Sequence, residues 1–434
     1  MDRSHIAGIL LAILSAVGGM GAALAEDINP DALPMVTRDQ AATGALPEGK
    51  GVLDRARPEY DAVGVPIEDF VLYPTLALGG TYDDNVFRAP LAEQSDLYWT
   101  FSPRLDLRSQ WQRHALQLYA QLDHYEFDEL NSETRTNWTV GGAGRYDISD
   151  GSFLAADSYY LDTHESRTSP DLSTLALSPT AYQQVHADGS IKGQFGLTLL
   201  SGGVWFDRFD FDPTRLIGGG TINNDDRDRS VIEVFGKAAY EFAPDQEVFL
   251  RASYNTRDFD LSLDRNGFDR NSHGYHIDAG VEGMLTPIVR GSAFVGYVNQ
   301  NYRAPLESVD DFDFGAQIDW FVTELFTAHL AASRTIADTT IFGASSVDER
   351  AVAASADYEL LRNVILRANI GYSDDAFRGI TRDDRIFTAG ISGRYLINQY
   401  LSAELAFAHE NRDSNVIGRD YDDNAFSFGL KVQI

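Results

Sequence analysis

The stretch "HALQLYAQLDHY", residues 114–125, puts Leu116, Leu118, Ala120 and Leu122 at every second position, with Gln117, Tyr119, Gln121 and Asp123 between them. A period of two is the repeat of a pleated strand, and it separates an apolar face from a polar one. The pattern recurs along the chain. In "DFDFGAQIDW", 311–320, Phe312, Phe314, Ala316, Ile318 and Trp320 oppose Asp313, Gly315, Gln317 and Asp319. In "YLSAELAFAH", 400–409, Leu401, Ala403, Leu405 and Phe407 oppose Ser402, Glu404, Ala406 and Ala408. "VILRANIGY", 364–372, repeats the arrangement. About eighteen such segments follow residue 70, and alternation is poorest near 153–165 and 196–210, so 16 to 18 strands are expected.

The connections alternate between short ones, such as "SDG", "APDQ" and "INQ", and longer ones rich in Asp, Asn, Arg and Gly, such as "FDPTRLIGGGTINNDDRD". Tyr240, Trp320, Tyr358 and Tyr395 each stand on the apolar face just before a short turn. The last three are spaced by 38 and 37 residues, which is one hairpin per interval. Long alternating strands, short turns on one side, long loops on the other and aromatics at one height describe a transmembrane barrel. Lipid offers no hydrogen bonds to a free sheet edge, so the sheet must close. The fold class expected is all-β: an antiparallel up-and-down barrel over residues 70–434, apolar outside and polar within.

The segment before it divides in two. Residues 1–25 carry Arg3 and His5, an apolar run from Ile6 to Val17, and a small-x-small site at Ala23–Ala25, the pattern of a secretory signal peptide. Residues 26–69 contain five prolines and no regular period, and are expected to form a polar periplasmic arm.

Composition narrows the function. The net charge of -30 argues against nucleic-acid partners, which need a basic surface. Only four of the 35 basic residues are lysine, so positive charge is carried by arginine, which makes fixed bidentate contacts with carboxylates. The absence of cysteine removes disulfides, thiolate metal sites and cysteine nucleophiles. "GALPEGKG", 44–51, nearly matches a phosphate loop, but Gly51 stands where Ser or Thr would hold magnesium. No hydrolase or metalloprotease motif occurs, and the histidines worth testing are His164 beside Glu165 and the pair His273 and His276. No enzyme activity and no cofactor are expected.

Two constellations remain. By parity, the inner face carries Asp123, Arg145, Glu233, Lys237, Arg251, His276, Asp278, Glu282, Asp319, Asp357, Glu359, Arg367, Arg394 and Glu404. Charges of both signs on a polar wall suit a conduit for a hydrophilic solute. Tyr119 and Tyr125 face the same way and could stack on sugar rings. The second constellation is a repeated "YDDN", at 82–85 and 421–424, with a relative, "YSDDAF", at 372–377. First and last strands pair to close a barrel, so both copies are expected on the seam at the outer rim, each tyrosine at the membrane boundary. Asp83, Asp84, Asp422 and Asp423 would there offer convergent oxygens for a hard cation.

The junction from Arg55 to Phe87, with Arg57-Pro58-Glu59-Tyr60-Asp61, Tyr73-Pro74 and Tyr82-Asp83-Asp84-Asn85, resembles the opening of the putative beta-barrel porin 2 family of Gram-negative outer-membrane proteins. The final Ile434 departs from the aromatic residue with which such barrels usually end. The resemblance implies a cell outer-membrane location, lipid and the barrel assembly machinery as partners, and an exit channel for a secreted exopolysaccharide. It also implies a periplasmic polysaccharide-export protein docking on residues 26–69. A general or substrate-specific diffusion porin for small hydrophilic solutes is the alternative.

Overall fold

A computed structural model describes residues 50–434. The expected signal peptide, most of the arm and most of the 44–51 motif lie outside the described residues. Eighteen antiparallel strands follow one another around a closed sheet. They are β1 (Phe70–Asp83), β2 (Asp96–Ser109), β3 (Ala115–Phe127), β4 (Arg135–Ser149), β5 (Ser152–His164) and β6 (Ala181–Phe195). Next come β7 (Thr198–Phe211), β8 (Arg229–Ala243), β9 (Gln246–Phe259), β10 (Ser272–Thr286), β11 (Val289–Tyr302) and β12 (Val309–Thr323). The circuit ends with β13 (Phe326–Asp338), β14 (Ser346–Leu361), β15 (Val364–Phe377), β16 (Asp383–Asn398), β17 (Leu401–Ser414) and β18 (Tyr421–Gln433). Each strand pairs with its neighbours in sequence, and β1 closes on β18 from Thr75↔Gln433 to Asp83↔Ala425. The count and the up-and-down order are those read from the alternation.

Strand length fits a bilayer. The shortest have 13 residues and the longest 16. At about 3.3 Å per residue and a tilt near 40°, such strands rise roughly 33–40 Å, enough for an apolar band of about 25 Å with margin at both rims. Leu118, Val140, Phe312, Ile370 and Leu405 are exposed on the outside, while Asp106, Gln117, Arg251, Asp278 and Asp357 are buried on the inside. Tyr240, Trp320, Tyr358 and Tyr395 are all exposed on the outer face, forming an aromatic girdle above the short turns. Small apolar clusters lie under the long loops, including Val298, Tyr302, Leu306, Val309 and Ile336.

The seam corrects one expectation. The two "YDDN" copies do lie side by side: Asp84 N donates to Asn424 O at 3.1 Å, and Asn424 N to Asp84 Oδ1 at 2.7 Å. The tyrosines, however, face opposite ways, Tyr82 being 46% exposed and Tyr421 4%. Tyr82 is paired across the seam with Phe426, which takes the outer place, while the Tyr421 hydroxyl donates to Glu410 inside.

Candidate functional site

The inner wall is a set of charge networks within and between its strands. Arg290 on β11 donates to Asp319 on β12 through Nε at 3.0 Å. His329 on β13 bridges Asp319 at 2.7 Å and Asp357 on β14 at 3.1 Å. Arg367 on β15 donates to Asp357 at 2.8 and 3.0 Å, so one chain of ion pairs crosses five strands. Lys237 reaches Glu282 at 2.7 Å, Arg394 reaches Glu404 at 2.8 Å, and Arg145 reaches Asp147 at 2.8 Å. Arg251 and Asp278 pair at 2.9 Å, His276 and Asp313 at 2.9 Å, and Asp123 accepts from Gln121 at 2.8 Å. Glu233 stands on the same face of β8 as Lys237, half-buried. Alternating charge held by fixed partners gives a wall that is polar but locally neutralised, which is how a low-dielectric surround tolerates so many ions.

Both mouths hold chain that the alternation did not foretell. At the periplasmic end, residues 51–61 lie against the inward faces of β13 and β14. Val52 is fully buried, and its N–H donates to Thr327 Oγ1 at 2.9 Å. Arg57 is only 3% exposed; its Nη2 donates to Glu359 Oε2 at 2.7 Å and to Val52 O at 2.8 Å. Arg55 donates to Glu324 O at 2.9 Å and to the same Glu359 carboxylate at 3.3 Å. A turn closed by Arg57 N donating to Asp61 Oδ2 at 2.6 Å follows, and Tyr60 O accepts from Gln433 on β18 at 3.0 Å. The segment therefore reaches from β13 and β14 to the seam. Part of the arm expected to meet a partner, residues 26–69, is thus engaged here with the barrel's own wall.

At the outer end, the loop 165–180 between β5 and β6 reaches far round the barrel. Asp171 Oδ1 accepts from Thr339 Oγ1 and Thr340 N, both at 2.9 Å, beyond β13. Arg412 on β17 donates to Thr168 O at 2.7 Å. The base of the loop is pinned by Glu165, which accepts a bidentate pair from Arg227, Nη1 to Oε2 at 2.9 Å, with the Phe211 ring 4.0 Å from the guanidinium. Burial alone would raise the Glu165 carboxyl, but the charge and hydrogen bonds of Arg227 outweigh it and hold the group below its ordinary range.

At the rim, Asp83, Asp84 and Asp423 bring carboxylate oxygens within 4.8 Å of one another. Asp422 does not join them: it is exposed and lies 3.8 Å from His409. Consecutive residues on a strand point to opposite faces, so Asp422 and Asp423 diverge. Arg88 Nη1 stands between the remaining carboxylates, 3.0 Å from Asp83 Oδ2 and 3.0 Å from Asp423 Oδ1, where a cation would sit. Thermal unfolding of the barrel is thus expected to be insensitive to calcium. Arg88→Gln should create a calcium-dependent rise in Tm, and a calcium shift already present in the unaltered chain would contradict this.

The histidines separate in the same way. His273 is exposed on the outer face and His276 faces inward. His164 bonds Asn137 at 2.9 Å beside a polar cavity of about 280 Å³ lined by Asn131–Arg135 and Arg215. Tyr119 faces inward with the Arg104 guanidinium 5.5 Å from its ring centroid, whereas Tyr125 is packed against Tyr98 at 6.1 Å under the loops.

Solved structures of similar outline include Pseudomonas aeruginosa OccK3 (OpdO), 14% identical with a TM-score of 0.42, covering 84% of this chain and 96% of that one. Pseudomonas aeruginosa OccK2 (OpdF), solved in complex with glucuronate, is 12% identical with a TM-score of 0.46, covering 85% and 99%. The siderophore receptor PirA from Acinetobacter baumannii is 10% identical with a TM-score of 0.45, covering 84% and 80%. Among curated proteins, none matches the chain. The family model for putative beta-barrel porin 2 matches residues 57–434, from the arginine buried in the periplasmic mouth to the last residue, and the chain belongs to that family.

Proposed function

We propose that this outer-membrane barrel channel is the exit conduit for a secreted exopolysaccharide. In this reading its own residues 51–61 close the periplasmic mouth at rest, and a periplasmic export partner displaces them. The observation that carries the reading is the burial of Arg57 on Glu359 within that mouth. A channel for free diffusion has no need of a closing segment fixed by a buried guanidinium. A guanidinium moved from water into such a site is costly unless its carboxylate partner stays with it, so the docked state is a defined one. The channel is read as non-enzymatic.

A second reading, a porin for small hydrophilic solutes, draws on the ion-pair chain from Arg290 to Arg367, whose alternating charges suit selection of a small charged solute. Single-channel conductance in planar bilayers separates the two. The export reading expects low conductance from the chain that begins at residue 26, and a several-fold rise when residues 26–61 are removed. A large, steady conductance with the segment in place would favour the porin.

A further inference from the structure

The wall holds one group of side chains that the charge networks do not explain. Asp157 on β5 and Asp188 on β6 are directly opposite one another across the strand pair. Like charges at directly opposed positions repel. Both side chains are largely buried, and among the described residues no arginine or lysine ion pair reaches either. Other inward carboxylates of this barrel, Asp278, Asp348 and Asp357 among them, have an arginine against them. Here the facing group is His186, itself 2% exposed, two residues before Asp188 on the same strand face.

The ring of His186 is fixed from behind. Its Nδ1 is 2.8 Å from Asp207 Oδ1 on β7. Asp207 is in turn held by Gln184 Nε2 at 2.8 Å and Trp205 Nε1 at 2.5 Å. Tyr159 stacks on the imidazole at 4.7 Å. A carboxylate on Nδ1 sets the tautomer that leaves the Nε2 lone pair free to point away, the arrangement found behind metal-bound histidines. Nε2 points at the two acids, 3.6 Å from Asp188 Oδ1 and 3.9 Å from Asp157 Oδ1. Those separations are long for hydrogen bonds. They are close to the edge, about 3.4 Å, of a tetrahedron whose metal–ligand bonds are about 2.1 Å.

Charge points the same way. Three carboxylates face one imidazole, so even an imidazolium leaves a net double negative charge inside the wall. We propose that Asp157, His186 and Asp188 form a binding site for a divalent transition cation such as zinc(II), with Asp207 as its positioning residue. One imidazole and two carboxylates is a donor set suited to zinc, cobalt or nickel rather than to calcium or magnesium, which prefer oxygen alone. The three ligands come from two adjacent strands near mid-height, so the site is rigid and faces the lumen. The remaining coordination positions would be open to water or to a donor group on a passing solute.

The experiment is a titration of the refolded, untagged chain with cobalt(II), read by visible absorption, followed by displacement with zinc(II). One saturable equivalent in the micromolar range, lost in Asp188→Asn and in His186→Gln, is expected. Asp207→Asn should keep the site but weaken it about 10- to 100-fold. Heat-modifiable electrophoretic mobility establishes that each variant has refolded; if His186→Gln fails there, Asp157→Asn replaces it as the second near-isosteric test. Absence of saturable cobalt absorption, or equal binding by Asp188→Asn, would overturn the proposal. It would leave an imidazolium shared among three carboxylates as the account of the group.

Discussion

Asp278→Ala is expected to destabilise the barrel by about 3–5 kcal/mol, because it removes the carboxylate to which a buried guanidinium donates twice. Arg251 donates to Asp278 Oδ2 through Nε at 3.1 Å and Nη2 at 2.9 Å. Their side chains are 3% and 0% exposed. The Phe294 ring lies 4.8 Å from the guanidinium, in a patch of the inner wall that also holds Leu199, Ala239 and Phe249. The backbone has made room for the pair: a Cβ at Gly296 would stand 2.1 Å from Asp278 Oδ1. Loss of one charge alone should therefore cost far more than loss of both. Arg251→Met combined with Asp278→Ala is expected to recover most of the deficit, since an apolar pair of similar bulk suits that patch. Urea unfolding in detergent, compared across the two single variants and the double, measures the coupling. A single-variant loss below about 0.5 kcal/mol would mean that water reaches the pair.

The second large effect concerns acid and the outer loop. Glu165 is held below its ordinary range by Arg227, so the folded chain binds the proton less readily than the unfolded chain does. The stabilisation is complete above the unfolded glutamate pKa of about 4.3 and is lost as pH falls through the lower folded value. Asp226, in the same loop as Arg227, behaves alike. Burial would raise it, but hydrogen bonds and charge from Arg265 hold it down, with Arg265 Nε donating to Oδ2 at 2.7 Å. As pH falls below the unfolded value and towards the lower folded one, the hold on the loop 165–180 is expected to weaken progressively until the loop leaves the mouth. Glu165→Gln should free it at neutral pH, for Arg227 is then buried without its partner. Trypsin cleavage after Arg167 is the readout: resistant in the unaltered chain at pH 8, and faster by an order of magnitude or more in the variant. Equal resistance would show that Arg167, through its own pair with Glu133, is sufficient to hold the loop.

What could be read from sequence follows from which solvent each residue meets. Lipid outside and a polar lumen inside impose strict alternation, so β9 and β11 begin and end where the pattern does. β14 begins at Ser346, before the apolar pattern reaches it, because Ser346, Val347 and Asp348 pair with β13 beneath the outer loops, where no lipid face is required. The repeated "YDDN" misled for a geometric reason. Its copies pair antiparallel with Tyr82 and Tyr421 out of step, so identical letters face opposite sides of the sheet. Arg57 meets Glu359 across 302 residues, and nothing local in either stretch announces the contact. The cluster at Asp157, His186 and Asp188 was hidden likewise, since one ligand lies on β5, where alternation is poorest, and the others follow 29 and 31 residues later.

On the proposed reading, in which the docked segment 51–61 closes the channel, the way the segment is attached has a kinetic and energetic consequence. It is joined to β1 through residues 62–69, of which Val65–Ile67 pair back on Phe70–Leu72, so it is never diluted away from the mouth. A tether that short keeps a released segment at an effective concentration of order millimolar. Re-docking is then unimolecular, so a channel gated in this way would reset without a second protein. The same tether taxes any competitor. If the segment is free about 1% of the time, a partner that captures the free form has its apparent affinity weakened about 100-fold. Such a partner would act only when abundant or pre-assembled beneath the barrel, so a lone encounter would leave the outer membrane sealed.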